Sequence, residues 1–133
     1  MLITRSWPKG KWYLAASDTP IRRGQIWWVD WQPHRGSEQA GRRPSLIVQS
    51  NEANELDDYG LTIIVPLSSG GHRDNDLHLR VEPSNLNGLS KTSFVKCEQL
   101  FTITKSRLDG FIGQLEPRHQ SAVDQNLKAV LAL

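Results

Sequence analysis

The sequence predicts one α+β domain dominated by β structure, in which several short strands form a small sheet or barrel and one helix follows them. Three observations predict this class. Short runs of β-forming residues alternate with segments rich in proline, glycine and polar side chains over most of the chain. The hydrophobic period becomes that of a helix only near the C-terminus. A length of 133 residues is typical of a single domain.

The first twenty residues are predicted to be an extension to this domain. Residues 1–20 mix proline, glycine and serine with isolated aromatic side chains and show no sustained period. We therefore expect the domain itself to span residues 21–133.

The N-terminal part of the chain is basic and aromatic. Residues 1–24 carry five basic side chains against one acidic side chain, and all five tryptophans lie within the first 31 residues. Such a segment can contact a nucleic-acid backbone and stack on bases. The simpler interpretation is a loose arm followed by a strand, in which Trp27 and Trp31 face a core and Trp28 faces the other side.

Three strands are predicted in the first half of the domain. Residues 25–31 are rich in β-forming side chains, and residues 45–49 and 61–67 are nearly continuous apolar runs, as in buried strands. The segment between the first two strands, residues 33–43, contains glycine, proline and charged side chains and is predicted to be a loop.

The second half is predicted to continue as strands. Over residues 77–81 leucine and valine alternate with polar side chains, which is typical of a half-buried strand. One or two strands are expected over residues 92–95 and 98–103. A short turn followed by a strand is expected over residues 108–115.

The last segment is predicted to be an amphipathic helix. Pro117 suits the first turn of a helix. Val123, Leu127, Val130 and Leu131 then fall on one face at helical spacing.

Composition and spacing exclude several classes of protein. The formal net charge is only +2, so charge alone neither establishes nor excludes a nucleic-acid partner. One cysteine cannot form an intrachain disulfide. No apolar run is long enough to span a bilayer and no secretory signal is recognisable, so we expect a cytoplasmic protein that does not contact membranes. The sequence has no phosphate loop, no dinucleotide fingerprint, no zinc spacing and no nucleophile elbow, so neither a cofactor nor a metal is expected.

The most informative segment is the glycine-rich bend at residues 36–44. It places Glu38 and Arg43 five residues apart, immediately before a buried strand. A guanidinium mounted on a rigid strand suits a phosphodiester, and a carboxylate beside it can accept a proton or hold the arginine. An incidental ion pair on a surface turn is the alternative.

Two further segments could contribute polar groups. Ser68 and Ser69 precede two glycines at the end of a predicted strand, where hydroxyls and free N–H groups can bind phosphate oxygens. Around Cys97, period 2 predicts Lys96 and Glu98 on one face of a strand, as an ion pair or an acid–base couple. Cys97 itself is expected to be a small buried side chain.

At these residues the chain resembles a known family. The run RGQIWWVDWQP at residues 23–33 and the run GSEQAGRRPSLIVQS at residues 36–50 resemble the PemK/MazF family of toxin–antitoxin ribonucleases. The segment VPLSSGG at residues 65–71 and the segment VKCEQ at residues 95–99 are similar to later motifs of that family. The likeness covers about residues 21–133, including the C-terminal helix.

The resemblance implies a fold, an activity and partners. The fold would be an SH3-like β-barrel of the PemK/MazF/CcdB type with short helices, normally assembled as a homodimer. The activity would be that of a type II toxin, a metal-independent and sequence-selective endoribonuclease for single-stranded mRNA. The partner would be a cognate antitoxin that blocks the RNA groove. No cofactor is implied.

The resemblance also implies catalytic residues. Arg43 takes the position of the family's catalytic arginine, and Ser68 stands where the family more often has threonine. Glu38 lies in the RNA-contacting loop. Lys96 and Glu98 stand where some members have a catalytic arginine and aspartate.

Contacts to RNA are implied for Gln39, Arg42, Ser69 and Gln99. Ser37 replaces a histidine that is implicated in some members.

The chemistry expected of such an enzyme uses the RNA's own 2′-hydroxyl as nucleophile, because its proximity makes the attack intramolecular. Arg43 would stabilise the pentavalent phosphorane, and Ser68 would donate to a phosphate oxygen. Glu38 or Glu98 would be the base, and Arg43 or Lys96 the acid. The products would be a 2′,3′-cyclic phosphate and a 5′-hydroxyl.

Two alternatives remain open at this stage. CcdB-like toxins with the same barrel poison gyrase without cleaving nucleic acid. A degenerate RNA-binding module that no longer turns over is the second alternative.

Overall fold

The computed structural model describes residues 19–31, 41–56, 58–70 and 76–133. Within these ranges the chain forms seven strands, two helices and a 3₁₀ turn. The strands are β1 Gln25–Asp30, β2 Arg42–Ile47, β3 Leu61–Ser68, β4 His78–Val81, β5 Ser93–Lys96, β6 Phe101–Thr104 and β7 Leu108–Gln114. The helices are α1 Asn51–Asn54 and α2 Pro117–Leu131, and the 3₁₀ turn is Lys105–Arg107.

The strands form one antiparallel sheet in the order β4-β5-β3-β2-β1-β7. Strand β3 is long enough to serve two neighbours on one edge, because its first half pairs with β6 and its end pairs with β5. Its other edge pairs with β2. The α+β class dominated by strands is therefore confirmed, as is the C-terminal helix.

Apolar side chains cover both sides of the sheet. Successive residues of β1 enter different clusters, since Ile26 packs with Leu46 and Val65, whereas Trp27 and Val29 pack in a second cluster. The pairing registers align Ile26, Leu46 and Val65 across three strands, so they form one continuous row of the first cluster.

Helix α2 covers the first cluster. Pro117 is at its first turn, and Val123 is fully buried against the sheet while Leu127 packs beside it. Leu131 is 51% exposed, so the apolar face predicted for this helix is used over its middle and less at its end. Neither helix in the described ranges is long and apolar enough to cross a membrane.

Two differences from the sequence prediction affect candidate site residues. Strand β2 begins at Arg42, so Arg42 and Arg43 lie in a strand rather than in the predicted loop. Pairing of Arg42 with Asp30 and of Arg43 with Val29 extends the strand to this point. Residues 33–40 of that loop and residues 1–18 of the predicted extension lie outside the described residues.

The second difference concerns the strand predicted over residues 98–103, which begins only at Phe101. The chain turns after β5, and the Gln99 N–H donates to the Lys96 carbonyl oxygen at 3.0 Å. Lys96 is the last residue of β5 and Glu98 lies in the turn that follows, so the two residues do not share a strand as the period-2 argument assumed.

The segment between β4 and β5, residues 82–92, crosses β7 at unusually close range. Gly88 has a φ of 69°, and a β-carbon added there would overlap the carbonyl oxygen of Ile112. A β-carbon added at Gly113 would overlap the carbonyl oxygen of Asn87. Glycine at both positions lets the two backbones touch, and we call this contact the glycine crossing.

A buried polar network holds the same segment in place. The Asn87 amide nitrogen donates to the Glu82 carbonyl at 2.9 Å and to the Glu116 carboxylate at 3.2 Å. Its oxygen accepts the backbone N–H groups of Ser84 and Leu89, each at 3.0 Å. The Ser84 hydroxyl also donates to Glu116 at 2.6 Å, and Glu116 directly precedes α2.

These contacts lower the pKa of the Glu116 carboxyl. Burial alone would raise that pKa, but hydrogen bonds from Ser84, from its own backbone and from Asn87 outweigh the effect of burial. Glu116 is thus an ionised acceptor that ties the segment to the start of α2.

Removing the side chain of Asn87 should destabilise the protein strongly. We expect Asn87→Ala to lower the free energy of unfolding by about 3 kcal/mol, because several buried donors and acceptors lose their partner. Asn85→Ala, in the same segment but at an exposed position, is the matched control and should change it little. Chemical denaturation measures both, and equal effects of the two substitutions would contradict the role given to Asn87.

Candidate active-site groove

A groove of about 620 Å³ crosses one end of the sheet. Strands β1, β2 and β7, the end of β3 and the segment between β4 and β5 all contribute to its walls. The residues that line the groove include Trp28, Arg42, Arg43, Pro44, Leu67, Ser68, Ser69, Ser90, Lys91 and Phe111. Four of the residues predicted from the sequence, Arg42, Arg43, Ser68 and Ser69, are brought together here.

The pairing register explains why Arg43 and Ser68 meet. Strands β2 and β3 are antiparallel, with Ser45 paired to Pro66. When this register is extended by two residues on each strand, Arg43 lies opposite Ser68. Residues 25 positions apart in the sequence therefore share one wall of the groove.

The groove is cationic. Arg42, Arg43 and Lys91 line it, and no aspartate or glutamate does so among the residues that the structure describes. Within the same residues, Arg43 and Lys91 have no ion-pair partner. Burial lowers the pKa of the Arg43 guanidinium, which still remains protonated at neutral pH. Charges of this kind, partly removed from water, attract an anionic ligand more strongly than exposed ones do.

Ser68 presents a hydroxyl at the end of β3. Its oxygen accepts the Gly70 N–H at 3.0 Å, which fixes the side chain in a local turn. The hydroxyl proton is left to donate toward the groove.

Arg42 is held differently from Arg43. Its guanidinium carbon lies 4.9 Å from the centre of the Trp28 ring. Its Nε is 3.0 Å from the Asp109 carboxylate, and its Nη2 donates to the Asp109 carbonyl oxygen at 2.5 Å. The charge of Arg42 is thus largely offset by a neighbour, whereas that of Arg43 is not.

Three predicted site residues do not line the groove. Lys96 pairs with His78 at the far end of β5 from Ser93, and Glu98 and Gln99 follow it in the turn. The Glu98 carboxylate is 2.8 Å from the buried His78 ring. Burial would raise the pKa of Glu98, but hydrogen bonds from His78, from its own backbone and from Gln99 lower it overall. Catalytic roles for these residues stay predictions.

The glycine-rich bend with Glu38 and Gln39, together with Ser37, lies outside the described residues. The described residues on either side of it are close together, because the Trp31 N–H donates to the Gly41 carbonyl oxygen at 3.2 Å. The bend thus leaves and re-enters the domain next to Arg42.

Sequence reasoning missed several lining residues. The alternation in β1 correctly placed Trp28 on the side away from the buried Trp27, but nothing in the sequence showed that this side faces a groove. Lys91 and Phe111 carried no motif. The position of Lys91 depends on the glycine crossing, which joins segments far apart in the chain, and that of Phe111 depends on the pairing of β7 with β1.

Two cations of the basic N-terminal segment serve the fold. Arg22 pairs with Glu55 at 3.2 Å, and Arg23 pairs with Asp124 at 2.9 Å. Cys97 is buried as expected, and burial raises the pKa of its thiol. No group of three His, Cys, Asp or Glu side chains in the described ranges is arranged to hold a metal ion.

A family model and a curated relative both place the chain in the same family. Residues 22–131 match the model of the PemK-like, MazF-like toxins of type II toxin–antitoxin systems. Over 114 residues the chain is 32% identical to endoribonuclease EndoA of Bacillus subtilis (strain 168), covering 85% of this chain and 96% of that protein.

Solved structures agree on the fold. An endoribonuclease in complex with its cognate antitoxin, from a mycobacterial species, has a TM-score of 0.69 and 23% identity, covering 85% of this chain and 96% of that one. MazF from Deinococcus radiodurans has a TM-score of 0.67 and 23% identity, covering 85% and 97%. The barrel-type fold expected from the sequence is thereby confirmed.

Proposed function

Because the chain belongs to the PemK-like, MazF-like toxins of type II toxin–antitoxin systems, we propose that it is an endoribonuclease that cleaves single-stranded RNA in the groove. One observation carries the assignment of the site: Arg43, partly buried and without an ion-pair partner in the described residues, lines the same groove as Ser68, together with further cations. This arrangement provides positive charge and a hydrogen-bond donor at one place, as a phosphodiester transition state requires.

The proposed reaction is transesterification. The 2′-hydroxyl oxygen bonds to the adjacent phosphorus, and the bond from phosphorus to the 5′-oxygen breaks. The 2′-proton goes to a base, and an acid protonates the leaving 5′-oxygen. Charge builds up on the non-bridging oxygens of the phosphorane, where the Arg43 guanidinium and the Ser68 hydroxyl can stabilise it. No metal is required for this step.

The base is proposed to be Glu38 rather than Glu98. Glu98 is held by the buried His78 and does not line the groove, whereas Glu38 is only three residues before Gly41, which begins the return into β2. Arg43 is proposed as the acid in preference to Lys96 for the same reason of position. Lys91 supplies a further cation for the RNA backbone on the opposite wall.

We further propose that the protein acts in the cytoplasm as a homodimer and that a cognate antitoxin inhibits it by occupying the groove. The mycobacterial endoribonuclease to which this fold is similar was solved with its antitoxin. In the present chain, Arg43 and Lys91 would attract an acidic antitoxin segment just as they attract RNA, so the two ligands would compete. A twofold assembly would join two grooves into a longer cationic surface.

Substitution of Arg43 should remove most of the activity. We expect Arg43→Ala to reduce cleavage of RNA by about 10²-fold or more, the scale of losing one preorganised charge stabiliser. Ser68→Ala should cost less, and Ser68→Thr should retain activity. Arg80→Ala, at an exposed position outside the groove lining, is the control. Wild-type cleavage rates in a folded Arg43→Ala protein would remove Arg43 from the active site.

The reaction should need the 2′-hydroxyl and no divalent cation. We expect labelled RNA to be cut in excess EDTA, and a single deoxyribose on the 5′ side of the scissile phosphate to stop cleavage there. Product analysis should show a cyclic phosphate. A strict requirement for Mg²⁺ would refute the proposed chemistry, and absence of any cleavage would favour a gyrase poison or a non-cleaving RNA-binding module.

Antitoxin and RNA should compete for one surface. We expect sedimentation to show a dimer, and the acidic segment of the antitoxin to abolish cleavage with an affinity that weakens as salt rises. Lys91→Ala should flatten this salt dependence, because one cationic contact is lost. A protein that remains monomeric at high concentration, or an antitoxin that binds without inhibiting, would contradict the proposal.

A further inference from the structure

Arg42, Trp28 and Asp109 form a layered arrangement beside the proposed scissile position. The guanidinium carbon of Arg42 lies over the Trp28 ring, 4.9 Å from its centre. Two of its nitrogens, Nε and Nη2, are held by Asp109. Arg42 lines the groove and its side chain is 49% exposed, so part of the guanidinium is accessible from the groove.

Gly110 leaves space for this arrangement. Its φ is 118°, a conformation that side chains rarely adopt. A β-carbon added there would lie 3.1 Å from Arg42 Nη2 and 3.4 Å from Trp28 Cδ1. The backbone following Asp109 is therefore shaped closely around the layered pair.

We propose that Trp28, Arg42 and Asp109 form a base platform, on which an unpaired nucleobase next to the cleaved phosphate stacks against the outer face of the Arg42 guanidinium. The inference rests on the proposed ribonuclease function and names how the groove positions its substrate. Guanidinium planes and aromatic rings are common stacking surfaces for unpaired bases.

The charge distribution favours a base over a phosphate at this position. Asp109 offsets the charge of Arg42, so a phosphate brought to it would meet a carboxylate as well as a guanidinium. Arg43 and Lys91, which have no such partner in the described part of the chain, are the better phosphate contacts. A rigid plane with an offset charge suits a flat, neutral ligand. Because Arg42 and Arg43 both line the groove, that ligand would flank the phosphate held by Arg43.

An abasic scan tests the platform. The probe is a short fluorescein-labelled RNA that spans a mapped cleavage site, with deoxyribose at the scissile position so that it binds without being cut. Each flanking nucleotide in turn is replaced by an abasic one, and affinity is measured by fluorescence anisotropy. The wild-type protein should lose about tenfold in affinity at one flanking position, the scale of one stacked base.

Arg42→Lys is the decisive variant, because it keeps the charge and loses the plane at a half-exposed position. It should bind the intact RNA about tenfold more weakly, and the abasic replacement at that same position should weaken it no further. Gly110→Ala should act in the same direction by displacing Arg42. Arg22→Lys is the matched control, since Arg22 is also 49% exposed and paired with a carboxylate but lies outside the groove lining.

The outcomes separate this inference from the proposed function. If Arg42→Lys and every abasic replacement weaken binding independently while wild-type protein still cleaves RNA, the platform is refuted and the nuclease stands. A wild-type protein that neither binds nor cleaves RNA refutes both.

Discussion

The groove depends on the contact between two backbones at the glycine crossing. Gly88 and Gly113 are the positions at which a β-carbon would collide with the opposite strand. With them in place, Asn87 can reach the carboxylate of Glu116 from inside the crossing. The segment that carries Lys91 is thereby fixed against β7 and against the start of α2. Without this contact the groove would lose the wall formed by residues 88–91.

The two neighbouring arginines of β2 show how one strand can prepare two kinds of contact. Both are arginines of one strand, but Arg42 is paired with Asp109 and lies over the Trp28 ring, whereas Arg43 keeps an unpaired, partly desolvated charge among the described residues. The difference comes from tertiary neighbours, since the residue type and the strand are the same. A guanidinium whose charge is balanced by a carboxylate can act as a flat stacking surface. A guanidinium whose charge is not balanced can bind a phosphate.

Much of the fold could be predicted from the sequence, because local patterns determine it. Alternation in β1 correctly separated Trp27 from Trp28, and helical spacing correctly located α2. The wall formed by β2 and β3, with Arg43 and Ser68, was predicted from the family resemblance, and the β2–β3 register accounts for it. The wall formed by residues 88–91 could not be predicted, because Lys91 reaches the groove through contacts between segments distant in sequence. Lys96 and Glu98 do not share a strand, because a turn ends β5 where the sequence argument assumed a strand that continues through Glu98.

The contribution of Glu116 to the stability of the fold depends on pH. Its pKa in the folded protein is below the ordinary carboxyl value of 4.5, so the unfolded chain takes up this proton before the folded chain does. The stability that Glu116 contributes is complete above the ordinary pKa and is lost as the pH falls through the folded value. Arg43 remains charged throughout that range. Acid should therefore loosen the segment that carries Lys91 without removing the positive charge of Arg43. The shape of the groove and its charge thus respond differently to pH.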